Sequence, residues 1–166
     1  MTRLVLFDID GTLLRTSGVG QDATRIALER VFGTSGNLPA FYPGGRTIEA
    51  ILFDTLLDAK IRPEFICAGR RLFYAEFIAA FAANIKNGGF SVRPCPGSIE
   101  LVNALIAQDD LVLGLLTGNH QKTAELKLAA AGYDLASFKI GAYGQEAVDR
   151  ALLVGLAKDR AFKQVG

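Results

Sequence analysis

The chain is poor in the residues that most often hold metals or staple small folds, with two cysteines and one histidine among 166 residues. Cys67 and Cys95 have no metal-ligand spacing. They leave either a disulfide in an oxidising compartment or two free thiols in the cytoplasm, and the second is the expectation. An excess of one charge is also missing. Eighteen basic residues face 17 acidic ones, for a net charge of +1 with no basic block, so charge does not point to a nucleic-acid partner. No uncharged stretch has the length of a membrane-crossing helix. The apolar N-terminal run is interrupted by Asp8 and Asp10, unlike a secretory signal. These absences favour a cytoplasmic globular protein with no membrane partner. Composition agrees, being 50% apolar and 21% charged. The length suits one domain with room for a modest insertion.

Residues 3–9 (RLVLFDI) form a continuous apolar stretch of strand length rather than an alternating one. That pattern predicts a strand buried on both faces, as in a parallel sheet covered by helices. LVLGLL at 111–116 repeats it, and FKIGA at 138–142 does so more weakly. Between those two, HQKTAELKLAAAG carries apolar or small residues at helical spacing, with Gly132 as its stop. Pro96-Gly97-Ser98 starts another helix, in which Ser98 with Leu101, Leu105 and Ile106 predicts a capped segment with an apolar stripe. Helix–strand alternation from residue 97 onward argues for an α/β architecture with right-handed crossovers. Residues 15 to about 90 differ. Helices are expected at 20–32, 46–59 and 63–86, with no convincing strand, so this part reads as a helical insertion with linkers near 14–18 and 87–96. Phe65, Phe73, Phe77 and Phe81, with Ile66 and Ile78, read as packing between its helices. A last helical pattern over 146–162 runs almost to the end of the chain.

Asp8 and Asp10 end the first apolar run. In an extended strand, residues two apart point to the same side, so both face one site at the C-terminal end of the strand, where open α/β sheets bind ligands. Like charges this close repel, and a divalent cation or a shared proton would make them tolerable. Either condition is useful chemistry, with one carboxylate as nucleophile or ligand and the other as proton donor and acceptor. Two plainer readings remain open: an Asp-Gly turn and a solvated strand end. A calcium loop is excluded, because Gly11 and Val19 fall where such a loop needs other residues.

LLTGN at 115–119 is the second constellation. Thr117 offers a hydroxyl at the end of a buried strand, and the amides of Gly118 and Asn119 precede a helix, which suits a phosphate cradle or an ordinary strand-to-helix turn equally. His120, in the same turn, reads as a first-turn residue rather than a catalyst.

DIDGT at 8–12, a helical insertion, and then LGLLTGN at the end of a later strand together resemble the haloacid dehalogenase superfamily. PGGRT at 43–47 and CPGSIELVNAL at 95–105 are similar to its phosphoglycolate-phosphatase-like, capped members. The resemblance covers essentially the whole chain. It implies a three-layer Rossmann-like α/β core with a parallel sheet, formed by residues 1–15 and 88–166, and a helical cap at 16–87. It implies a Mg²⁺-dependent phosphomonoester hydrolase acting on a small phosphorylated metabolite. Asp8 would be the nucleophile and Asp10 the acid and base. Mg²⁺ would sit against the Asp8 carboxylate and the Asp10 carbonyl. Thr117 would bind a phosphoryl oxygen, with Thr12, Gly118 and Asn119 alongside. The second acid favours phosphoryl over dehalogenation chemistry. Arg150 would be the cation that neutralises phosphate and nucleophile, with Lys122 and Lys158 as alternatives. Arg46 would touch the distal part of the substrate, or else be an exposed helix-start residue.

The family's last motif, one or two acids at the end of a fourth strand, has no counterpart after residue 150. The expectation is therefore a chain that is cut short or ends early, with weak metal binding and poor turnover. Two alternatives to the hydrolase stand: a phosphosugar mutase of the same superfamily, and a non-catalytic binding protein lacking a complete metal site. The sequence does not set the oligomeric state.

Overall fold

A computed structural model describes residues 2–39 and 44–165. Three parallel strands, β1 (Arg3–Phe7), β4 (Leu111–Thr117) and β5 (Ile140–Tyr143), form a sheet in the order β1-β4-β5. Phe7 lies opposite Leu115, and Thr117 opposite Tyr143, so the C-terminal strand ends converge. The continuous apolar pattern has a direct cause in the layers. Phe7, Leu113 and Leu115 pack on one face against Val102 of α4 (Ser98–Ile106) and Ala124 and Leu128 of α5 (Gln121–Ala130). Leu6, Leu116 and Ala142 pack on the other against Leu153 and Ala157 of α6 (Leu152–Val165). A strand covered on both sides has no solvent face to keep polar. The fold class is thus α/β with a parallel sheet, as expected.

Asp8 and Asp10 follow β1 rather than lie within it. Gly11, at φ 80°, turns the chain, and the amides of Leu13 and Leu14 both donate to the Ile9 carbonyl. An Asp-Gly turn therefore exists locally, but it feeds a new strand instead of folding back on β1. That strand, β2 (Leu14–Thr16), pairs antiparallel with β3 (Val92–Pro94). The two linkers, read from the sequence as lacking any strand, are a short ribbon. Three-residue strands leave too little pattern to detect.

Between the ribbon strands lie α1 (Val19–Phe32), α2 (Ile48–Asp58) and α3 (Pro63–Lys86), with their own apolar cluster around Leu28, Leu52, Leu56, Phe73 and Phe81. Phe73 and Phe77 stack with centroids 5.9 Å apart. Phe65 departs from the expected packing: it is exposed, with the Arg62 guanidinium 4.6 Å over its ring. Two other sequence expectations shift. In α4 the inward residues are Ile99, Val102 and Leu105, while Leu101 and Ile106 face out. Ser98 is the first helical residue rather than the N-cap, and its hydroxyl donates to the Leu13 or Cys95 carbonyl. The last helix begins at Leu152, so residues 144–151 form turns. Residues 40–43, part of the glycine-rich loop before α2, lie outside the described residues. No described helix is long and apolar enough to cross a membrane.

Candidate active site

Each acid at the end of β1 faces its own cation. Asp8 Oδ2 lies 2.8 Å from Arg150 Nη2, and Asp8 Oδ1 accepts the Ile9 amide at 2.8 Å. Asp10 receives the Lys127 ammonium, whose Nζ is 2.8 Å from both carboxylate oxygens. The close acids therefore need neither a metal nor a shared proton to be tolerated, because two opposite charges balance two carboxylates. Arg150 does not sit on a helix surface. It stands in the turn before α6, where Nη2 also reaches the Leu116 carbonyl at 3.4 Å. The two alternative cations are elsewhere: Lys122 pairs with Glu125 on the surface of α5, and Lys158 is exposed on α6.

Asn119 ties the turn after β4 to Asp10. Its Nδ2 donates to Asp10 Oδ2 at 2.6 Å and to Thr117 Oγ1 at 2.8 Å, while Oδ1 accepts from Lys127 at 2.7 Å. Thr117 is fully buried and its oxygen also accepts the Asn119 amide at 3.2 Å. Both contacts use the hydroxyl as acceptor, so its proton is left to donate. Thr12 is exposed in the turn after Asp10, its amide directed back to the Ile9 carbonyl at 3.3 Å. Lys127 was missed by sequence reasoning. The signal was there: α5 buries Thr123, Ala124, Lys127 and Leu128, so a lysine occupies an apolar stripe.

The helical insertion docks on the same turn. The first amides of a helix lack internal partners, and those of α2 find them in the sheet layer. Ile48 donates to the Gly118 carbonyl at 2.8 Å and Glu49 to the Gly144 carbonyl at 3.3 Å. Thr47, the N-cap, accepts from the Ala50 amide and donates to the Val148 carbonyl at 2.9 Å. A Cβ at Gly118 would collide with the Arg46 carbonyl, which makes glycine the residue that permits this approach. Arg46 thus meets the turn through its backbone, while its guanidinium pairs with Asp54 of α2. Nearby, the buried Glu49 carboxylate is held by Arg70 at 2.9 Å and by the Tyr74 hydroxyl. Burial first, and Glu49 second, push the Tyr74 hydroxyl pKa up. The Tyr74 ring lies 4.8 Å from that of His120. His120 is the N-cap of α5, its Nδ1 accepting the Lys122 amide at 3.1 Å, and burial lowers its pKa.

No cluster of three or more potential metal-ligating side chains occurs among the described residues. A concavity of about 410 Å³ beside β5, lined by Tyr143, Glu146 and Arg160, does not include either acid.

Similar solved structures share the fold. A predicted phosphoglycolate phosphatase from Haemophilus somnus 129PT is 23% identical, with a TM-score of 0.56 over 88% of this chain and 64% of its own. CbbY from Rhodobacter sphaeroides, a mutant in complex with xylulose-1,5-bisphosphate, is 18% identical, with a TM-score of 0.62 over 97% and 73%. A hydrolase from Pseudomonas syringae is 20% identical, with a TM-score of 0.57 over 89% and 62%. The chain thus spans under two thirds of the first and third of these proteins. No curated protein sequence matches it. The sequence model for haloacid dehalogenase-like hydrolases matches residues 2–161, nearly the entire chain, and with the α/β fold already described this places the protein in that family.

Proposed function

We propose that the protein is a phosphomonoester hydrolase in which Asp8 is the nucleophile. The observation that carries this reading is the arrangement around Asp8: a carboxylate at the C-terminal end of a parallel strand, beside the Arg150 guanidinium and the Thr117–Asn119 turn of the neighbouring strand. Asp8 attacks phosphorus as the bond to the leaving alcohol breaks, and Asp10 gives that alcohol its proton. Water then attacks the aspartyl phosphate, Asp10 takes the water proton, and the Asp8 carboxylate is released. Arg150 and the Thr117 hydroxyl oppose the negative charge of the phosphoryl oxygens. The helical insertion would act as the cap, its α2 N-terminus docked on the Thr117 turn through the Ile48 amide and the Gly118 carbonyl. The substrate is a small phosphorylated metabolite, and Cys67 and Cys95, both free thiols, suit the cytoplasm.

The residues present fit a magnesium ion. Asp8 and the Asp10 carbonyl are hard oxygen donors, and Mg²⁺ commonly keeps waters and substrate phosphate as its remaining ligands. With the proton that Asp10 donates in place, Asp8, Arg150 and Lys127 sum to +1, and a dication entering with a phosphate dianion leaves that charge unchanged. The ion would supply screening between the carboxylate and the phosphate as they approach.

The test is release of inorganic phosphate from p-nitrophenyl phosphate, with and without magnesium, by the wild type and by Asp8→Asn. Magnesium-dependent release that vanishes in the variant is expected. Release that persists in Asp8→Asn, or none from any phosphate ester, overturns the reading.

A further inference from the structure

Lys127 has no part in that scheme, yet it is the most deeply buried charge beside the acids. Its side chain is 5% exposed, against 46% for Asp10. An ammonium has three protons and no acceptor. Here it is committed to both Asp10 oxygens at 2.8 Å and to Asn119 Oδ1 at 2.7 Å. Asn119 in turn donates to Asp10 Oδ2, so two side chains hold the carboxylate, which is still half-exposed. The ammonium also lies over the ring of Phe81 of α3, 5.9 Å from its centroid. A lysine this buried has no solvent to turn to, whereas a half-exposed carboxylate without it would keep only the Asn119 contact.

We propose that Lys127 is a positioning residue for Asp10, holding the acid/base carboxylate in its working orientation with Asn119 and backed by Phe81 of the helical insertion. The proposal rests on the roles given above to Asp8 and Asp10. It has a consequence that mere structural support lacks. Proton donation matters most when the leaving oxygen is strongly basic, as in an alkyl ester, and little when it departs as a stable nitrophenolate. A residue acting through Asp10 must therefore affect the two ester types unequally.

The experiment compares kcat/KM, which reports the steps through phosphoryl transfer, for glycerol phosphate and p-nitrophenyl phosphate. The proteins are the wild type, Lys127→Met, Asp10→Asn and the double variant, each with magnesium and each checked for folding by circular dichroism. Lys127→Met is expected to lower the alkyl value by about 10²-fold and the aryl value by less than about fivefold. Asp10→Asn should show the same bias, and the double variant should be no worse than Asp10→Asn. Equal losses on both esters, or losses that multiply in the double variant, overturn the proposal. If Lys127→Met does not fold, Lys127→Gln, which keeps a donor, is read by the same criterion. Asp8→Asn separates the two layers. When the wild type is active and Asp8→Asn is dead, an unbiased Lys127 effect refutes only the positioning role. A wild type inactive on every phosphate ester tried, these two included, refutes the hydrolase and the positioning role together.

Discussion

Asp8 and Asp10 stand two residues apart and each meets a cation at 2.8 Å, but the two pairs are built differently. Arg150 and Asp8 are both partly exposed, at 24% and 34% of their side chains. In the other pair the burial is lopsided, at 5% for Lys127 and 46% for Asp10. Arg150 comes from a turn and spends one short contact on Asp8, which leaves most of its five N–H donors for an incoming anion. Lys127 comes from within a packed helix, and its three protons are used. On the proposed reading, Arg150 meets the ligand and Lys127 holds a side chain. Equal distances therefore conceal unequal roles, and what separates them is the supply of unused donors and of water.

The contrast can be broken in several ways. The largest effect is expected for Asp8→Asn, which removes the proposed nucleophile and should lower phosphate release by at least about 10⁴-fold. Its thermal melt should barely move, because a partly exposed pair contributes under about 1 kcal/mol. Arg150→Ala should cost about 10²- to 10³-fold in kcat/KM as a lost electrostatic donor. That loss should be similar on alkyl and aryl esters, unlike the bias expected at Lys127; a leaving-group bias here would erase the distinction between the cations.

Asp10→Ala strands a buried ammonium, and urea unfolding should record about 2 kcal/mol of lost stability, below the roughly 3–5 kcal/mol of a fully buried pair because Asp10 is half-exposed. Adding Lys127→Met to Asp10→Ala should recover at least half of it. No recovery would mean that the ammonium reaches water after all.

The smallest effect concerns pH. Burial is the main cause of the lowered His120 pKa, with the Lys122 charge adding to it and Glu125 opposing it. The unfolded chain then binds this proton before the folded one does. Stability from the neutral ring is fully present above about pH 6.5, the ordinary value, and is lost as pH falls from there toward the lowered folded value. Protonation would also remove the Nδ1 acceptor that caps α5, the helix carrying Lys127. Urea midpoints at pH 7.5 and 5.5 should differ in the wild type and converge in His120→Asn, which keeps an N-capping side chain but does not titrate.

Much of the frame was legible because single residues or short periods signal it. The apolar runs of β1 and β4 read as strands covered on both faces, and Gly132, at φ 88°, closes α5 where a left-handed residue was expected. Facing was harder. SIELVNALI is apolar on more than one side, so Leu101 and Ile106 were as good candidates for the core as Ile99 and Val102. Which stripe turns inward depends on how α4 lies on the sheet. Lys127 was hidden for a related reason, since its charge argues for a surface position while its place in the α5 stripe argues for burial.

The sequence alone determined where two acids, a turn and a threonine would stand relative to their strands, because strand ends and glycine turns are set by neighbouring residues. Tertiary structure decided what balances those acids. Lys127 lies 117 residues beyond Asp10, on a helix packed against one face of the sheet. Arg150 comes from the turn leading into the helix on the other face. No local periodicity links charges so far apart in the chain. Arg150 stands at the C-terminal strand ends because parallel strands bring every following turn to the same edge, and Lys127 reaches Asp10 from the buried stripe of α5, the helix that follows β4.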